Sequence, residues 1–133
     1  MKIMLDTNVL ISAFVFGGNA GKLLHKLIIS EHELYVSDYV DQEFKAKLQQ
    51  KWPSKAEKVY ELFHSMNFAF CRSTKQKLGS QKDILVLSDA LFHKMDMILT
   101  GDKDFLEANL SEPLIFSPSM LYEYMEQYEK NHW

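Results

Sequence analysis

Apolar residues follow two rhythms along this chain. Short unbroken runs occur at residues 2–5 (Lys-Ile-Met-Leu), 32–37 (HELYVS), 68–72 (FAFCR), Met97–Leu99 and 113–118 (PLIFSP). Each has the length and bulk of a buried strand. Between them apolar positions recur at helical spacing, in VLISAFVF (9–16), KLLHKLIIS (22–30), DYVDQEFKAKLQQKW (38–52), SKAEKVYELFHSM (54–66), DILVLSDALFHKM (83–95) and SMLYEYMEQYEKNHW (119–133). GGNAG (17–21) is expected to break the first helical stretch from the second. Ser37 or Asp38, Ser54, and Ser117 or Ser119 supply candidate N-caps. STKQKLGSQ (73–81) is the most polar stretch and reads as a loop. Strands alternate with helices throughout, so a three-layer α/β fold with a mainly parallel sheet is expected. Nothing resembles a repeat, a low-complexity tract or a linker, and residues 1–133 read as a single domain.

Two of the short runs end at once in a carboxylate. Ile3-Met4-Leu5 leads into Asp6-Thr7-Asn8, and Met97-Ile98-Leu99 leads into Thr100-Gly101-Asp102. Small polar residues after a strand can simply be a turn. In open parallel sheets, however, ligands bind outside the C-terminal strand ends, and two acids there can converge although far apart in sequence. Two further acids sit near expected helix starts, Glu43 and Asp83. Each alone is explained by the preference of acids for the first turns of a helix. Together, four like charges in one pocket need a cation or a proton to compensate them. Oxygen ligands without Cys or His suit Mg²⁺ or Mn²⁺. Such ions activate water and stabilise the charge that develops when a phosphodiester is cleaved.

Bulk composition bears on that reading. The net charge of −3 argues against a protein that coats nucleic acid through a general basic footprint. Setting aside Asp6, Glu43, Asp83 and Asp102 moves the balance to +1, a mildly basic remainder. Lys45, Lys47, Lys51, Lys55 and Lys58 read first as a solvated helix face. Arg72, Lys75, Lys77 and Lys82 lie in or beside the loop before Asp83 and are better placed to hold phosphates. No apolar run reaches the ~18 residues of a membrane span, and Asp6 interrupts any signal-like stretch. One cysteine, Cys71, leaves no internal disulfide and reads as a core thiol in a reducing compartment, so the cytoplasm is expected.

The segments LDTNVL, YVSDYVDQEF, KDILVLSDALFHKMDMILTGDKDF and LIFSPSMLYEYM, in this order over nearly the whole chain, resemble the successive motifs of PIN-domain ribonucleases. The similarity is closest to small stand-alone prokaryotic members, many of them toxins of type II toxin–antitoxin pairs. The resemblance implies a PIN-like parallel sheet between helices and Mg²⁺- or Mn²⁺-dependent cleavage of single-stranded RNA. Carried over by position, it implies Asp6, Glu43, Asp83 and Asp102 as the metal-binding catalytic acids. Thr7 and Asn8 would position Asp6, and Thr100 would bond within the pocket. Asp104 would either support the site or cap the next helix. Asp89 competes with Asp83 for the third position, but six residues are about 240° apart around a helix, so the two do not share one pocket. An antitoxin partner and a homodimer are further implications.

Other readings have less behind them. GGNAGK (17–22) has a misplaced first glycine for a phosphate loop, and Leu23 stands where Ser or Thr should bind Mg²⁺. The five histidines show no metal-ligand pairing. The tyrosines of YEYMEQY fall at core-like spacing, with a partner surface as the alternative. A non-catalytic PIN-like module that binds RNA or protein is the second hypothesis. A receiver-like phosphoacceptor domain would need an acid pair after the first strand, where Asp6 stands alone.

Overall fold

The computed structural model describes residues 1–30, 32–66, 68–73, 82–107 and 112–132, with the side chains of residues 82, 83 and 128–132 outside that description. Five strands form one all-parallel sheet: β1 (Lys2–Leu5), β2 (Glu33–Ser37), β3 (Ala69–Cys71), β4 (Met97–Leu99) and β5 (Leu114–Phe116), in the order β3-β2-β1-β4-β5. Among the described residues, seven α-helices connect or flank them: α1 (Thr7–Ile11), α2 (Gly18–Ile29), α3 (Asp38–Lys51), α4 (Ala56–Ser65), α5 (Lys82–Phe92), α6 (Lys103–Glu107) and α7 (Pro118–His132). This is the α/β architecture expected from the alternation of runs. The order steps outward from β1 to β3, then returns to the other side of β1. The reversal therefore falls between β1 and β4, whose C-terminal ends make the crevice where parallel sheets take ligands. Leu5 stands beside Leu99 in that pair, and the Asp6 N–H bonds the Leu99 carbonyl at 3.0 Å.

The central strands are buried on both faces, which is why β1 and β4 read as unbroken apolar runs. On one side of the core, rings interlock: Phe63 lies 5.0 Å from Phe44, 5.2 Å from Phe68 and 5.7 Å from Phe14 between centroids. Such tilted and edge-on contacts add to the simple burial of the rings.

Several local expectations are corrected. The break expected over residues 17–21 narrows to their start. A π-helical turn at Ser12–Phe16 leads to Gly17, and α2 already begins at Gly18 rather than Lys22. Gly17 (φ 77°, ψ −111°) and Gly18 (φ 56°) take conformations that side chains resist, so these two residues make the break. Ser54 does not cap α4. Lys55 stands at that position and offers no side-chain bond, while Ser37 caps α3 by accepting from the Val40 N–H. α5 ends at Phe92, short of Met95. Lys94 adopts φ 57°, the Met95 N–H reaches the Ala90 carbonyl and the Lys94 N–H reaches that of Leu91. This paired closure terminates a helix even where apolar spacing continues. The polar loop assigned to 73–81 lies, after Ser73, outside the described residues.

Candidate active site

Asp6 leaves β1 at its C-terminal end and becomes the N-cap of α1. It is fully buried, and both its carboxylate oxygens accept bonds. The Thr7 N–H donates to Oδ1 at 2.8 Å, and the Thr100 hydroxyl donates to Oδ2 at 2.7 Å. Thr100, also fully buried, follows β4 and is fixed by its own N–H on the Phe116 carbonyl. Its hydroxyl oxygen accepts the Asp102 N–H at 3.1 Å, and Asp102 Oδ1 accepts the Asp104 N–H at 2.9 Å. One hydrogen-bonded chain thus joins Asp6, Thr100, Asp102 and Asp104 across the β1/β4 crevice. A threonine suits this position because one hydroxyl both donates and accepts. Asp6 and the Thr7 N–H after β1 are therefore part of a hydrogen-bonded network that reaches across the crevice.

Asp102, not Asp104, caps α6, because the Leu106 N–H bonds its carbonyl while the Asp104 N–H takes its side chain. Asp104 sits inside the first turn with an exposed side chain. Thr7 Oγ1 is buried and has no hydrogen-bond partner among the described residues, and the same holds for Asn8 Oδ1. Buried polar atoms are ordinarily satisfied, so two such oxygens next to Asp6 mark a place where water or another ligand completes the bonding.

Glu43 lies on α3, which packs against the α1 helix that Asp6 caps. The Tyr39 hydroxyl donates to Glu43 Oε2 at 2.9 Å, and Lys47 Nζ stands 3.8 Å from Oε1. Tyr39 in turn donates its N–H to Ser73 Oγ at 2.8 Å. Tyr39 was missed in the sequence, although its spacing of four from Glu43 on a helix is the signal that could have found it. The side chain of Asp83, in the first turn of α5, lies outside the described residues. Asp89 is fully buried on α5, a helix that packs against β4 and α3. Its charge is felt at Cys71, whose half-buried thiol is pushed up to about 11, first by burial and then by Asp89 and Asp38. That supports the core-thiol reading of Cys71.

Among the described residues, no three acids, histidines or cysteines stand together as a metal-holding group. The donors assembled at the crevice are oxygens alone, and such a set fits a hard divalent cation. Of the surface lysines, Lys45 lies over the Tyr60 ring at 5.3 Å and Lys47 pairs with Glu43. Arg72 is exposed, and its carbonyl lies 2.6 Å from His93 Nε2. Lys75, Lys77 and the Lys82 side chain are outside the described residues. No described helix is long and apolar enough to cross a membrane.

No protein-family model and no curated protein matches the chain. Among solved structures it is similar to a chain in the crystal structure of VapBC2 from Rickettsia felis bound to a DNA fragment from their promoter. The TM-score is 0.69 and the identity 15%, with 88% of this chain and 98% of that chain covered. The likeness is one of fold, and it agrees with the PIN-like architecture expected from the motifs.

Proposed function

We propose that this protein is a Mg²⁺- or Mn²⁺-dependent ribonuclease that cleaves single-stranded RNA at the β1/β4 crevice, acting as the toxin of a type II toxin–antitoxin pair. The observation that carries the reading is the joining of Asp6 to Asp102 through the Thr100 hydroxyl, at the topological switch point of a parallel sheet. Asp6 and Asp102 would hold the cation, with Asp83 and Glu43 contributing from α5 and α3. The bound ion would supply a water acidic enough to attack phosphorus and charge to stabilise the transition state. Within the chain, Thr100 and the Thr7 N–H fix the direction of the Asp6 oxygens. Tyr39 holds Glu43 against α3. The toxin assignment rests on the motif resemblance together with a neighbouring fold from a VapBC complex; an antitoxin protein is the partner it requires.

A second reading, a non-catalytic PIN-like module that binds RNA or protein, is favoured by one observation: no group of three metal-ligating side chains forms among the described residues. Incubating the purified protein and Asp6→Asn with mixed-sequence single-stranded RNA, in Mg²⁺, Mn²⁺ or EDTA, separates the two. Cleavage that needs metal and disappears in Asp6→Asn is the expected result. RNA bound but intact in every lane would establish the binding module.

A further inference from the structure

Tyr39, Glu43 and Lys47 follow one another at steps of four along α3, so each lies about 40° round the helix from the last and the three make one row. Val40, Phe44 and Leu48 beside the row are buried, and its own three members are half-buried. The fixed end is Tyr39, whose N–H is on Ser73 Oγ at 2.8 Å and whose hydroxyl donates to Glu43 Oε2 at 2.9 Å. The other Glu43 oxygen faces Lys47 Nζ at 3.8 Å. That is close enough for attraction and too long for a hydrogen bond, so the ammonium is drawn in without being locked. The Lys47 and Glu43 side chains are exposed by 35% and 17%, whereas an ordinary pair on a helix surface leaves both in water. Helical side chains lean toward the N-terminus of their helix, so Lys47 reaches back toward the start of α3, which follows the C-terminal end of β2. In this all-parallel sheet that is the end that carries the β1/β4 crevice.

We infer, resting on the ribonuclease reading above, that Lys47 is the residue of α3 that holds a phosphate of the RNA strand at the crevice, and that Glu43 and Tyr39 position its ammonium. Acids gathered at a strand end repel a polyanion, and a cation beside them offsets that repulsion where the strand has to pass. An ammonium carries three donors, so one group faces a carboxylate and a phosphate at once. Lys45, two residues away, is turned to another side of α3, over the Tyr60 ring of α4 at 5.3 Å, and Lys58 stands exposed on α4. The lysines of these two helices are thus not one solvated face. Lys47 is set apart by its acid, its burial and its direction.

Fluorescence anisotropy of a dye-labelled, mixed-sequence single-stranded RNA in EDTA, over a series of salt concentrations, tests this without any cleavage. Lys47→Gln is expected to weaken binding about tenfold and to lower the slope of log K against log salt by about 0.7, the share of one phosphate on a single strand. Lys47→Arg should restore both, because a guanidinium also holds phosphate. Lys58→Gln removes the same charge elsewhere and should leave both near the parent. Tyr39→Phe should weaken binding about threefold in the parent and add nothing in Lys47→Gln, as a residue acting through Lys47 must. Lys47→Gln that binds like the parent, or that loses no more than Lys58→Gln, overturns the inference, as does a parent that binds no RNA at about 50 mM salt. A Tyr39→Phe effect that persists in Lys47→Gln overturns the positioning role. If the parent leaves RNA whole in Mg²⁺ and Mn²⁺ while Lys47→Gln still loses binding, the nuclease reading fails and the phosphate contact stands. Cleavage by the parent with Lys47→Gln binding unchanged means the reverse.

Discussion

Asp6 and Asp41 are two carboxylates that both accept hydrogen bonds, and their surroundings differ in kind. Asp6 is sealed at a strand end, held by a peptide N–H on one oxygen and a threonine hydroxyl on the other. Asp41 sits on the outer side of α3, where the Tyr60 hydroxyl (3.0 Å) and His64 Nε2 (3.1 Å) meet on one oxygen. A hydroxyl and an N–H orient a carboxylate without cancelling its charge. A histidine, once protonated, does cancel it. His64 is itself stacked on Phe70, 4.9 Å away with planes 15° apart, so the Asp41 cluster ties α3, α4 and β3 together. Burial raises the Tyr60 hydroxyl to about 12, aided by its bond to Asp41, so Tyr60 stays a donor across the physiological range. The difference teaches that a polar cluster is not a candidate site merely by being acidic. Asp41 takes a hydroxyl and a ring nitrogen that tie helices together; Asp6 takes the Thr7 N–H and the Thr100 hydroxyl at a strand-end crevice, which fits the role proposed for it.

The sharpest way to break this comparison is Asp6→Asn. Metal-dependent RNA cleavage is expected to fall by more than about a hundredfold, the scale of removing one preorganised electrostatic group. Mg²⁺ or Mn²⁺ should also raise the melting temperature of the parent and leave that of Asp6→Asn unmoved, because only a bound ion stabilises the fold. A parent whose melting ignores both ions would remove the distinction between the two carboxylates.

Thr100→Val comes next. It keeps the shape and deletes the hydroxyl that serves Asp6 and Asp102 together. Cleavage should drop about tenfold to a hundredfold, as for other groups that orient ligands, with Thr100→Ser close to the parent. Urea unfolding should show a loss of about 1–3 kcal/mol from the buried groups left without their bonds.

Asp41→Asn should do much less. Its side chain and that of His64 remain partly in water, so the loss of stability is expected below about 1 kcal/mol, with cleavage unchanged. A large loss of cleavage in Asp41→Asn would place the second cluster in the working site.

The smallest effect concerns Cys71. Its thiol is raised to about 11, so the thiolate that alkylates is scarce at pH 8. Iodoacetamide labelling of folded protein should therefore be slower than that of unfolded chain at pH 8, and should accelerate as pH climbs toward 11. A native thiol that holds its proton more tightly than the unfolded one contributes stability that is present below the unfolded value and lost as pH rises through 11. Asp89→Asn removes one raising charge and should speed labelling at a given pH.

Much of the fold was legible because its signals are local. Unbroken runs at β1 and β4 follow from burial on both faces, and an acid within three residues of the end of each run pointed to the crevice before any strand was placed. What local pattern misread were the ends, where backbone conformation overrides spacing: α2 starts at Gly18 because Gly17 and Gly18 make the break, and α5 stops at Phe92 because Lys94 turns left-handed. The sequence by itself determined the α/β class and named Asp6, Thr100 and Asp102 as residues at strand ends. Only the tertiary structure decided that β1 lies beside β4 and that a single hydroxyl joins the Asp6 carboxylate to the Asp102 backbone N–H. It alone decided that Asp89 is buried, where its charge is felt at Cys71, and that Asp102 rather than Asp104 caps α6. These are relations between segments distant in sequence, set by strand order and by the direction each side chain takes. Apolar periodicity records which residues are buried, and it carries no record of their neighbours.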